Sequence, residues 1–390
     1  MPRSRGPRCW ASRRRAPGGR ADHDLRGRRG YRVAVPPPLP PTEAVRPGLW
    51  SIGVPFPDNP LGYTLVYLIE SDRGPVLVDA GWDDDESWDA LVEGFRAAGT
   101  DVSECYGVLV THVHPDHHGL SGRVRDASDA WVAMHERDAV TVERLSSAME
   151  QDDRTAAPVQ TSPDFTDELM AVLLDAGATE DELATAPAPA ARRGSRRFRP
   201  LAAPDRRVDD GARVDVPGWD IDAVWTPGHT PGHLCFHVPE HRLLLSGDHV
   251  LPSITPHISI SRRDRGGDPL GDFLDSLQKV ARLETDEVLP AHRHRFDDLG
   301  QRVADITRHH HDHLADIEVI LADGPASLWQ IAARLTWNRP WDQYPLGLRR
   351  SAVNETAAHL RYLTRRDRAV RYKGVRPFTF GLPEGAPPAS

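Results

Sequence analysis

The pattern of apolar and polar positions predicts strands that alternate with helices from about residue 49 onward. Residues 63–69 and 75–79 form runs rich in apolar and β-branched side chains, which are typical of strands. Apolar residues then recur at helical spacing as far as Ala98, and Gly99 follows in the position that usually ends a helix. Further strand patterns lie at residues 106–110, 131–134, 221–225, 241–245 and 287–289. This alternation predicts a layered α/β fold.

Residues 136–206 interrupt the alternation. They contain an amphipathic helical pattern near 166–176, a capping box formed by Thr179 and Glu182, and a tract rich in Ala, Pro and Arg. Insertions of this kind are often lids over a binding site, although a surface loop has the same sequence pattern.

The sequence becomes helical after His292. Helical patterns lie at residues 302–321, 327–335 and 350–364, and a short strand pair follows at 369–373 and 377–380. Three helices followed by a hairpin are typical of a winged helix. We therefore predict a main domain over residues 46–298, a small winged-helix domain over 299–380 and a tail over 381–390.

The composition is that of a globular protein, with 27% charged residues among 390 and a mean hydropathy of −0.50. The sequence contains no apolar run long enough for a membrane helix, so we expect no membrane partner. The net charge of −9 combines Arg-rich segments at 1–46 and 342–376 with a strongly acidic segment between them. An acidic body disfavours a surface that follows a phosphate backbone, so we do not expect a nucleic acid as the main partner.

The first 45 residues are rich in Arg, Pro and Gly and lack the apolar core of a secretory signal. We therefore expect residues 1–45 to be disordered and the protein to be cytoplasmic. Cys9, Cys105 and Cys235 are widely spaced, which predicts neither a disulfide framework nor a cysteine-based metal site. Any metal would have to be bound by His and carboxylate side chains.

The densest group of metal-binding side chain types is the sequence Thr-His-Val-His-Pro-Asp-His-His at residues 111–118. It follows a buried-strand pattern directly. His112 and His114 alternate and can face one ion, while Asp116 and His117 can face a neighbouring ion. The alternative, a His-rich surface turn, is disfavoured because so many ligand types rarely occur together at a surface.

Four other predicted strands end in side chains of the same kind. Asp79, His229, Asp248 and His292 each follow a short apolar run, and Gly residues lie next to several of them. The carboxyl ends of strands in an open α/β sheet share one edge. We therefore expect these four side chains to converge with the 111–118 segment in one crevice.

These motifs resemble those of the metallo-β-lactamase superfamily. They occur in the family's order over roughly residues 48–297, as Asp79, the H-x-H-x-D-H run, His229, Asp248 and His292. The resemblance implies the family's four-layer αβ/βα sandwich, which here would be followed by the small winged helix. It also implies a centre for two metal ions.

The resemblance assigns a role to each motif residue. One ion would be bound by His112, His114 and His229. The second ion would be bound by Asp116, His117 and His292, with Asp248 bridging both ions. Asp79 would orient a ligand side chain rather than bind a metal itself.

Ligands of these types suit two Zn²⁺ ions, with Fe or Mn as the alternatives. Two ions about 3.5–4 Å apart can lower the pKa of a bound water from 15.7 to about 7 and so supply a hydroxide at neutral pH. The resemblance thus implies a dinuclear metal-dependent hydrolase in which a metal-bound hydroxide attacks the substrate. Asp116 and Asp79 are the candidate catalytic residues, and Asp116 would orient the hydroxide or carry its proton.

Several residues near the motifs have no assigned role. Arg293 replaces the small Gly that the family usually has after the final His. His118 is expected to face solvent or the following helix. Three further histidines either line the pocket or have structural roles, and these are His233, His249 and His257. The cluster at 309–313 is interpreted as a solvated helix face rather than a metal pair.

The remaining features reduce the number of subfamilies to which this chain could belong. Exported lactam-hydrolysing enzymes, flavodiiron proteins and β-CASP nucleases differ from this chain in signal, ligand set or insertion size. Glyoxalase II-like thioesterases, persulfide dioxygenases and the lactamase-beta-like group with a C-terminal winged helix remain. Residues 302–380 resemble the appendage of the last group, which includes acyl thioesterases and single-strand endoribonucleases.

We therefore expect a small-molecule acyl thioester or related ester as the substrate. The alternative is an endoribonuclease or other nuclease that uses the same metal site while the winged helix holds nucleic acid. A regulator with a relict metal site is a third interpretation, and the complete ligand set argues against it. The sequence does not indicate an oligomeric state.

Overall fold

Two β-sheets stacked between layers of helices form the centre of the fold. The computed structural model describes residues 37–151, 163–187, 201–260, 266–372 and 376–384. Its helices are α1 (Asp85–Ala97), α2 (Pro115–His118), α3 (Ser121–Ser128), α4 (Glu136–Gln151), α5 (Pro163–Asp175), α6 (Glu180–Ala184), α7 (Pro269–Val280), α8 (Leu299–Ala322), α9 (Leu328–Arg334) and α10 (Leu346–Arg365).

The first sheet has seven strands in chain order. They are β1 (Glu43–Arg46), β2 (Leu49–Phe56), β3 (Gly62–Ile69), β4 (Val76–Val78), β5 (Gly107–Leu109), β6 (Trp131–Met134) and β7 (Arg206–Arg207). Strands β1 to β4 pair antiparallel, whereas β4 to β7 pair parallel. The carboxyl ends of β4 and β5 therefore lie at the same edge.

The second sheet has four strands in the order β11, β10, β9, β8. The strands are β8 (Asp222–Trp225), β9 (Leu234–Val238), β10 (Leu243–Gly247) and β11 (Glu287–Pro290). Strands β10 and β11 are parallel, so Asp248 and His292 follow them at one edge. The predicted strands of the two sheets all exist, and β2, β9 and α7 are among the elements that the sequence patterns did not predict.

Alternating side chains on β3 show how the layers form. Tyr67 and Ile69 point into a core between the two sheets, which also contains Phe236 and Leu245. Leu68, on the opposite face of β3, packs with residues of α1 on the outside of the first sheet. The order of layers is helix, sheet, sheet, helix, which is the four-layer sandwich expected from the sequence.

The C-terminal helices close the outer face of the second sheet. Leu244 and Val288 from that sheet share one apolar core with Ile306 and Leu314 of α8 and with Leu360 of α10. A three-stranded sheet in the order β12, β14, β13 completes this part, and its strands are β12 (Ala326–Ser327), β13 (Val370–Arg371) and β14 (Thr379–Gly381). Three helices and a terminal hairpin therefore occur in the predicted order. The described residues all belong to one compact unit, so a separate domain at 299–380 stays a prediction.

Helices α5 and α6 of the insertion pack on the C-terminal helices. Leu173 and Leu183 share an apolar cluster with Trp329 and Val353. The backbone N–H of Trp329 donates to the Ala176 carbonyl at 2.8 Å. The predicted capping box of Thr179 and Glu182 is confirmed at the start of α6. A lid role for the insertion stays a prediction.

Arginines near the end of α10 bind other parts of the chain. Arg365 donates to the Gly266 carbonyl at 3.1 Å. Arg366 forms an ion pair with Asp268 at 2.7 Å, just before α7. Arg368 makes two hydrogen bonds to the Glu318 carboxylate, at 2.8 and 2.7 Å. Two of these three arginines are thus paired with carboxylates of the chain, and the third binds a carbonyl.

Two sequence expectations are wrong in part. The predicted disorder of residues 1–45 extends too far, because Glu43 and Ala44 pair with β2 in strand β1; residues 1–36 lie outside the described residues. The cluster at 309–313 is a solvated face only at His311 and Asp312, because His310 and His313 are buried. In both cases the reason is a long-range contact that local composition does not reveal: strand pairing for β1 and helix packing for α8.

Candidate metal centre

The five motifs meet at one edge of the two sheets. The 111–118 segment follows β5, Asp79 follows β4, and His229 lies in the loop between β8 and β9. The turn after Asp79 is tight, since Gly81 has a φ of 91° and a Cβ there would lie 2.4 Å from Val54. Only glycine adopts this backbone without strain. The structure brings together all seven side chains predicted to bind metal.

Three imidazoles form the first group. His112 Nε2 lies 2.9 Å from His114 Nδ1, which lies 3.0 Å from His229 Nε2. These three atoms and an Asp248 oxygen all lie within 4.8 Å of one another. Three ring nitrogens that face one another cannot all be satisfied by shared protons, whereas one cation accepts a lone pair from each.

Asp116, His117 and His292 form the second group. Their ligand atoms also lie within 4.8 Å of one another, and His292 Nε2 is 3.3 Å from Asp116 Oδ2. His117 Nε2 and His292 Nε2 are buried without a hydrogen-bond partner among the described residues. Buried polar atoms normally have partners. A metal ion at this point would satisfy both, so the residues fit the group that the motifs imply.

Asp248 lies between the two groups. One oxygen, Oδ2, is 3.5 Å from His229 Nε2 in the first group. The other, Oδ1, is 3.6 Å from His117 Nε2 and 3.3 Å from His292 Nε2 in the second. A single carboxylate thus offers one oxygen to each group, which is the arrangement that a bridging ligand requires.

Contacts behind the rings fix their orientation. His117 Nδ1 donates to Asp79 Oδ2 at 2.8 Å, and Thr111 donates to the same carboxylate through its N–H and hydroxyl. His229 Nδ1 donates to the His257 carbonyl at 2.9 Å, and His292 Nδ1 donates to the Tyr63 carbonyl at 3.1 Å. Each bond leaves Nε2 free to bind an ion.

Asp79 has an unusual backbone for a residue with a side chain, with a φ of 60°. This left-handed region costs free energy for residues other than glycine, and the cost persists where the surroundings require it. Here the strained turn directs the carboxylate toward Thr111 and His117. Asp79 touches His117 on the side away from the ligand atoms, as expected of an orienting residue.

Burial keeps the first group neutral. It lowers the pKa of His112 well below the ordinary value, and repulsion from neighbouring imidazoles adds to this. Burial also lowers the pKa of His114 to about 3 and lowers that of His229. A neutral imidazole has the free lone pair that metal binding needs.

The second group favours positive charge instead. Burial opposes protonation of His117 and His292, but the carboxylates of Asp248 and Asp116 outweigh it and raise the pKa of both. The two histidines in turn hold the pKa of each carboxyl below its usual range despite burial. The electrostatic field at this position therefore selects a cation.

Asp138 is a site residue that sequence analysis missed. Its buried carboxylate accepts from the Val113 N–H at 3.0 Å, the Thr230 hydroxyl at 2.7 Å and the Gly232 N–H at 2.7 Å. It therefore ties the loop of His112 and His114 to the loop that contains His229. No motif marks it, because it lies at the start of α4 and acts through backbone contacts.

The histidines without assigned roles are structural or peripheral. His233 Nδ1 contacts the Thr226 hydroxyl at 2.8 Å, and its Nε2 accepts from the Asp248 N–H at 3.2 Å. His249 packs edge-on against Phe273. His118 is buried and contacts Ser121 at 2.8 Å in the following helix, one of its two expected environments.

Arg293 occupies a position suited to glycine. Its φ is 77°, in the left-handed region, and its carbonyl accepts from the Tyr63 hydroxyl at 2.8 Å. The Gly that the resemblance leads one to expect here would adopt this backbone without strain. Arg293 therefore adds backbone strain at this turn. His292, the residue before it, still lies at the site.

Comparisons with known proteins agree with this geometry. The sequence model described as the metallo-beta-lactamase superfamily matches residues 59–292. A probable metallo-hydrolase, YqjP from Bacillus subtilis, is 23% identical over 330 residues, which cover 83% of this chain and 94% of that protein. A crystal structure of a metallo-beta-lactamase family protein from Thermus thermophilus is 27% identical, with a TM-score of 0.67, and the match covers 87% of this chain and 100% of that chain.

Other matches to curated proteins are shorter. A hydroxyacylglutathione hydrolase from Rhizobium meliloti is 50% identical over 44 residues, which are 11% of this chain and 17% of that protein. The chain covers 28% and 48% of the length of two other curated lactamase-like relatives. These matches therefore concern a part of each relative rather than its whole length.

Proposed function

This chain belongs to the metallo-β-lactamase superfamily, and from that premise we propose that it is a hydrolase with two Zn²⁺ ions that cleaves an acyl thioester or related ester of a small molecule. The observation that carries the proposal is Asp248, whose two oxygens face two separate groups of ligand atoms. Those groups contain imidazole and carboxylate but no thiolate, which suits zinc in a hydrolytic site.

The metal ions, when bound, lower the pKa of a water molecule and polarise the oxygen of the substrate carbonyl. The chain's own residues orient the side chains that would bind these ions. Asp79 fixes the ring of His117, and Asp138 holds two loops at a constant separation. The carboxylate of Asp116, 3.3 Å from His292 Nε2, is positioned to hold the proton that the water gives up.

The arginines at the end of α10 support a small-molecule substrate over nucleic acid. A nucleic-acid surface needs cations that are free to pair with phosphates. Arg365, Arg366 and Arg368 instead bind a carbonyl and two carboxylates of this chain. We infer that the C-terminal part, a winged helix in its order of elements, forms one wall of the cleft.

The match to a hydroxyacylglutathione hydrolase supports a thioester as the bond that is cleaved. The match is 50% identical and spans 44 residues. The thioester is favoured over an oxygen ester on this ground alone.

A screen of the purified, zinc-loaded chain tests the proposal. The substrates are acyl-CoA thioesters, S-lactoylglutathione and single-stranded RNA, and thiol release or RNA cleavage is measured. We expect saturable thiol release that a chelator stops and added zinc restores. Asp126→Ala, an exposed change on α3, is the matched control for Asp248→Ala and should keep full turnover.

Cleavage of RNA without any thioester turnover would replace the proposal by the nuclease alternative. Thioester turnover that survives complete metal removal would contradict the metal-dependent mechanism. Turnover in the Asp248→Ala variant equal to that of the Asp126→Ala control would exclude the bridging carboxylate from the reaction.

A further inference from the structure

A second set of metal-binding side chain types lies on the C-terminal helices. His309 and His313 are four residues apart on α8, so they lie on the same face of that helix. Glu355 of α10 faces them. The ligand atoms of these three residues all lie within 4.8 Å of one another, as in each of the two groups at the sheet edge.

The three side chains are buried or partly buried. His313 is buried, and His309 and Glu355 are partly buried, with 14% of the Glu355 side chain exposed. Among the described residues, the ion pair of Glu355 is with His257, whose Nδ1 lies 3.1 Å from Glu355 Oε2. A buried carboxylate normally has an Arg, a Lys or a metal ion as partner. Here imidazoles surround it instead.

We propose that His309, His313 and Glu355 form a third metal site, distinct from the dinuclear centre, which binds one Zn²⁺ ion. Two histidines four residues apart on a helix, with a carboxylate from another helix, are a typical zinc ligand set. The bond to His257 would orient the carboxylate, as contacts behind a metal ligand commonly do.

The neighbouring histidines His310 and His359 bond to each other. His310 Nδ1 lies 3.1 Å from His359 Nε2, so these two form a hydrogen-bonded pair. His359 Nδ1 also donates to the Glu355 carbonyl at 2.9 Å. No such bond joins the ring nitrogens of His309 and His313 among the contacts of the described residues. His310 Nε2 is also buried without a hydrogen-bond partner among the described residues. The group of ligand atoms that includes Glu355, however, contains only His309 and His313 of these imidazoles.

The site has a defined structural effect. An ion there joins α8 to α10 and fixes Glu355, which in turn holds the ring of His257. The His257 carbonyl accepts from His229 Nδ1 at 2.9 Å. The third ion would therefore brace the C-terminal helices and the loop behind one ligand of the dinuclear centre, without touching the substrate.

Metal content of the full chain tests the proposal. Wild type, His309→Ala, Glu355→Gln and the control His311→Ala, an exposed residue of the same helix, are loaded with Zn²⁺, freed of excess metal and assayed by mass spectrometry. We expect about three zinc ions in wild type and the control, and about one fewer in each of the other two. Circular dichroism confirms that every variant is folded.

The Asp248→Ala variant distinguishes the third site from the dinuclear centre. This variant should lose zinc from the dinuclear centre and keep one ion that a further His309→Ala change removes. Zinc should also raise the melting temperature of the Asp248→Ala variant, but not of the double variant. Equal zinc content in wild type, His309→Ala and Glu355→Gln overturns the third site, whether or not the chain hydrolyses thioesters.

Discussion

Asp79 shows how one residue can control a metal site without binding a metal. Its carboxylate accepts three hydrogen bonds, from His117 and from the N–H and hydroxyl of Thr111. The left-handed backbone that directs this carboxylate costs free energy, and these contacts offset that cost. Sequence analysis predicted its orienting role from the resemblance, whereas its backbone strain required the structure.

We predict that Asp79→Asn weakens metal binding at the second group. The amide cannot accept from His117 Nδ1 and both Thr111 donors at once, so the ring is held less firmly. Loss of such a contact typically reduces metal affinity about 10–100-fold. Competition with a chromophoric chelator measures the affinity. An unchanged affinity for both ions would show that His117 does not depend on Asp79.

We predict different metal losses for two other changes. Asp248→Ala removes a carboxylate that faces both groups, and it should lower the content of both ions. His117→Ala removes a ligand from one group only, so about one ion should remain at the sheet edge. Equal losses in the two variants, measured by mass spectrometry, would contradict a bridging role.

The burial of His118 predicts that the free energy of unfolding depends on pH. Burial lowers its pKa to about 4, whereas an unfolded histidine titrates near 6.5. Between these values the unfolded chain binds the proton and the folded chain does not. The free energy of unfolding therefore falls as the pH decreases through this window, by at most about 3 kcal/mol from this residue.

The variant His118→Gln should lack this contribution. The difference in unfolding free energy between wild type and variant, measured in urea at pH 7 and at pH 4.5, should shrink at the lower pH. Acid effects common to both proteins cancel in the difference. His311→Gln, at an exposed position, should show no such change. A difference that is constant with pH would mean that His118 is not a buried neutral residue.

At the level of elements, Asp138 links two loops that the motifs treat as separate. Strand order and motif spacing predicted that the loops after β5 and β8 meet. The residue that joins them could not be predicted, because its partners are the backbone N–H groups of Val113 and Gly232 and the hydroxyl of Thr230. Contacts to backbone leave no signature in a single sequence.

We predict that Asp138→Asn destabilises the fold by about 2 kcal/mol. The amide has one acceptor oxygen, so at least one of the three buried donors loses its partner, and an unsatisfied buried donor costs about 1–3 kcal/mol. Urea unfolding measures the loss. Asp126→Asn is the control, because its side chain is exposed on α3. Equal stability of the two variants would contradict the linking role.

For the whole molecule, local patterns predicted most elements but not how distant ones pack. The helical patterns of α5 and α10 were clear, since apolar residues recur at the right spacing. Their contact through Leu173 and Val353 was not, because it joins segments far apart in sequence. The boundary of the N-terminal segment was wrong for the same reason: β1 is short and polar, and only its pairing with β2 reveals it.

The charge on the C-terminal part provides a prediction at this scale. Arg368→Glu places like charge against Glu318 and should lower the free energy of unfolding by about 1 kcal/mol, since a well-formed exposed pair contributes about that much. The charge swap Arg368→Glu with Glu318→Arg should restore part of the loss. No recovery in the swap would mean that the pair is not a stabilising contact.

The position of the C-terminal helices in the chain has a consequence for biosynthesis. All seven side chains predicted to bind the two ions precede residue 293, so they leave the ribosome before α8, α9 and α10 do. Yet Leu244 and Val288, at the back of the second sheet, are covered by those helices. A nascent chain can thus carry every ligand of the dinuclear centre while an apolar sheet face still awaits its cover. Chaperone contact during translation is expected at that stage.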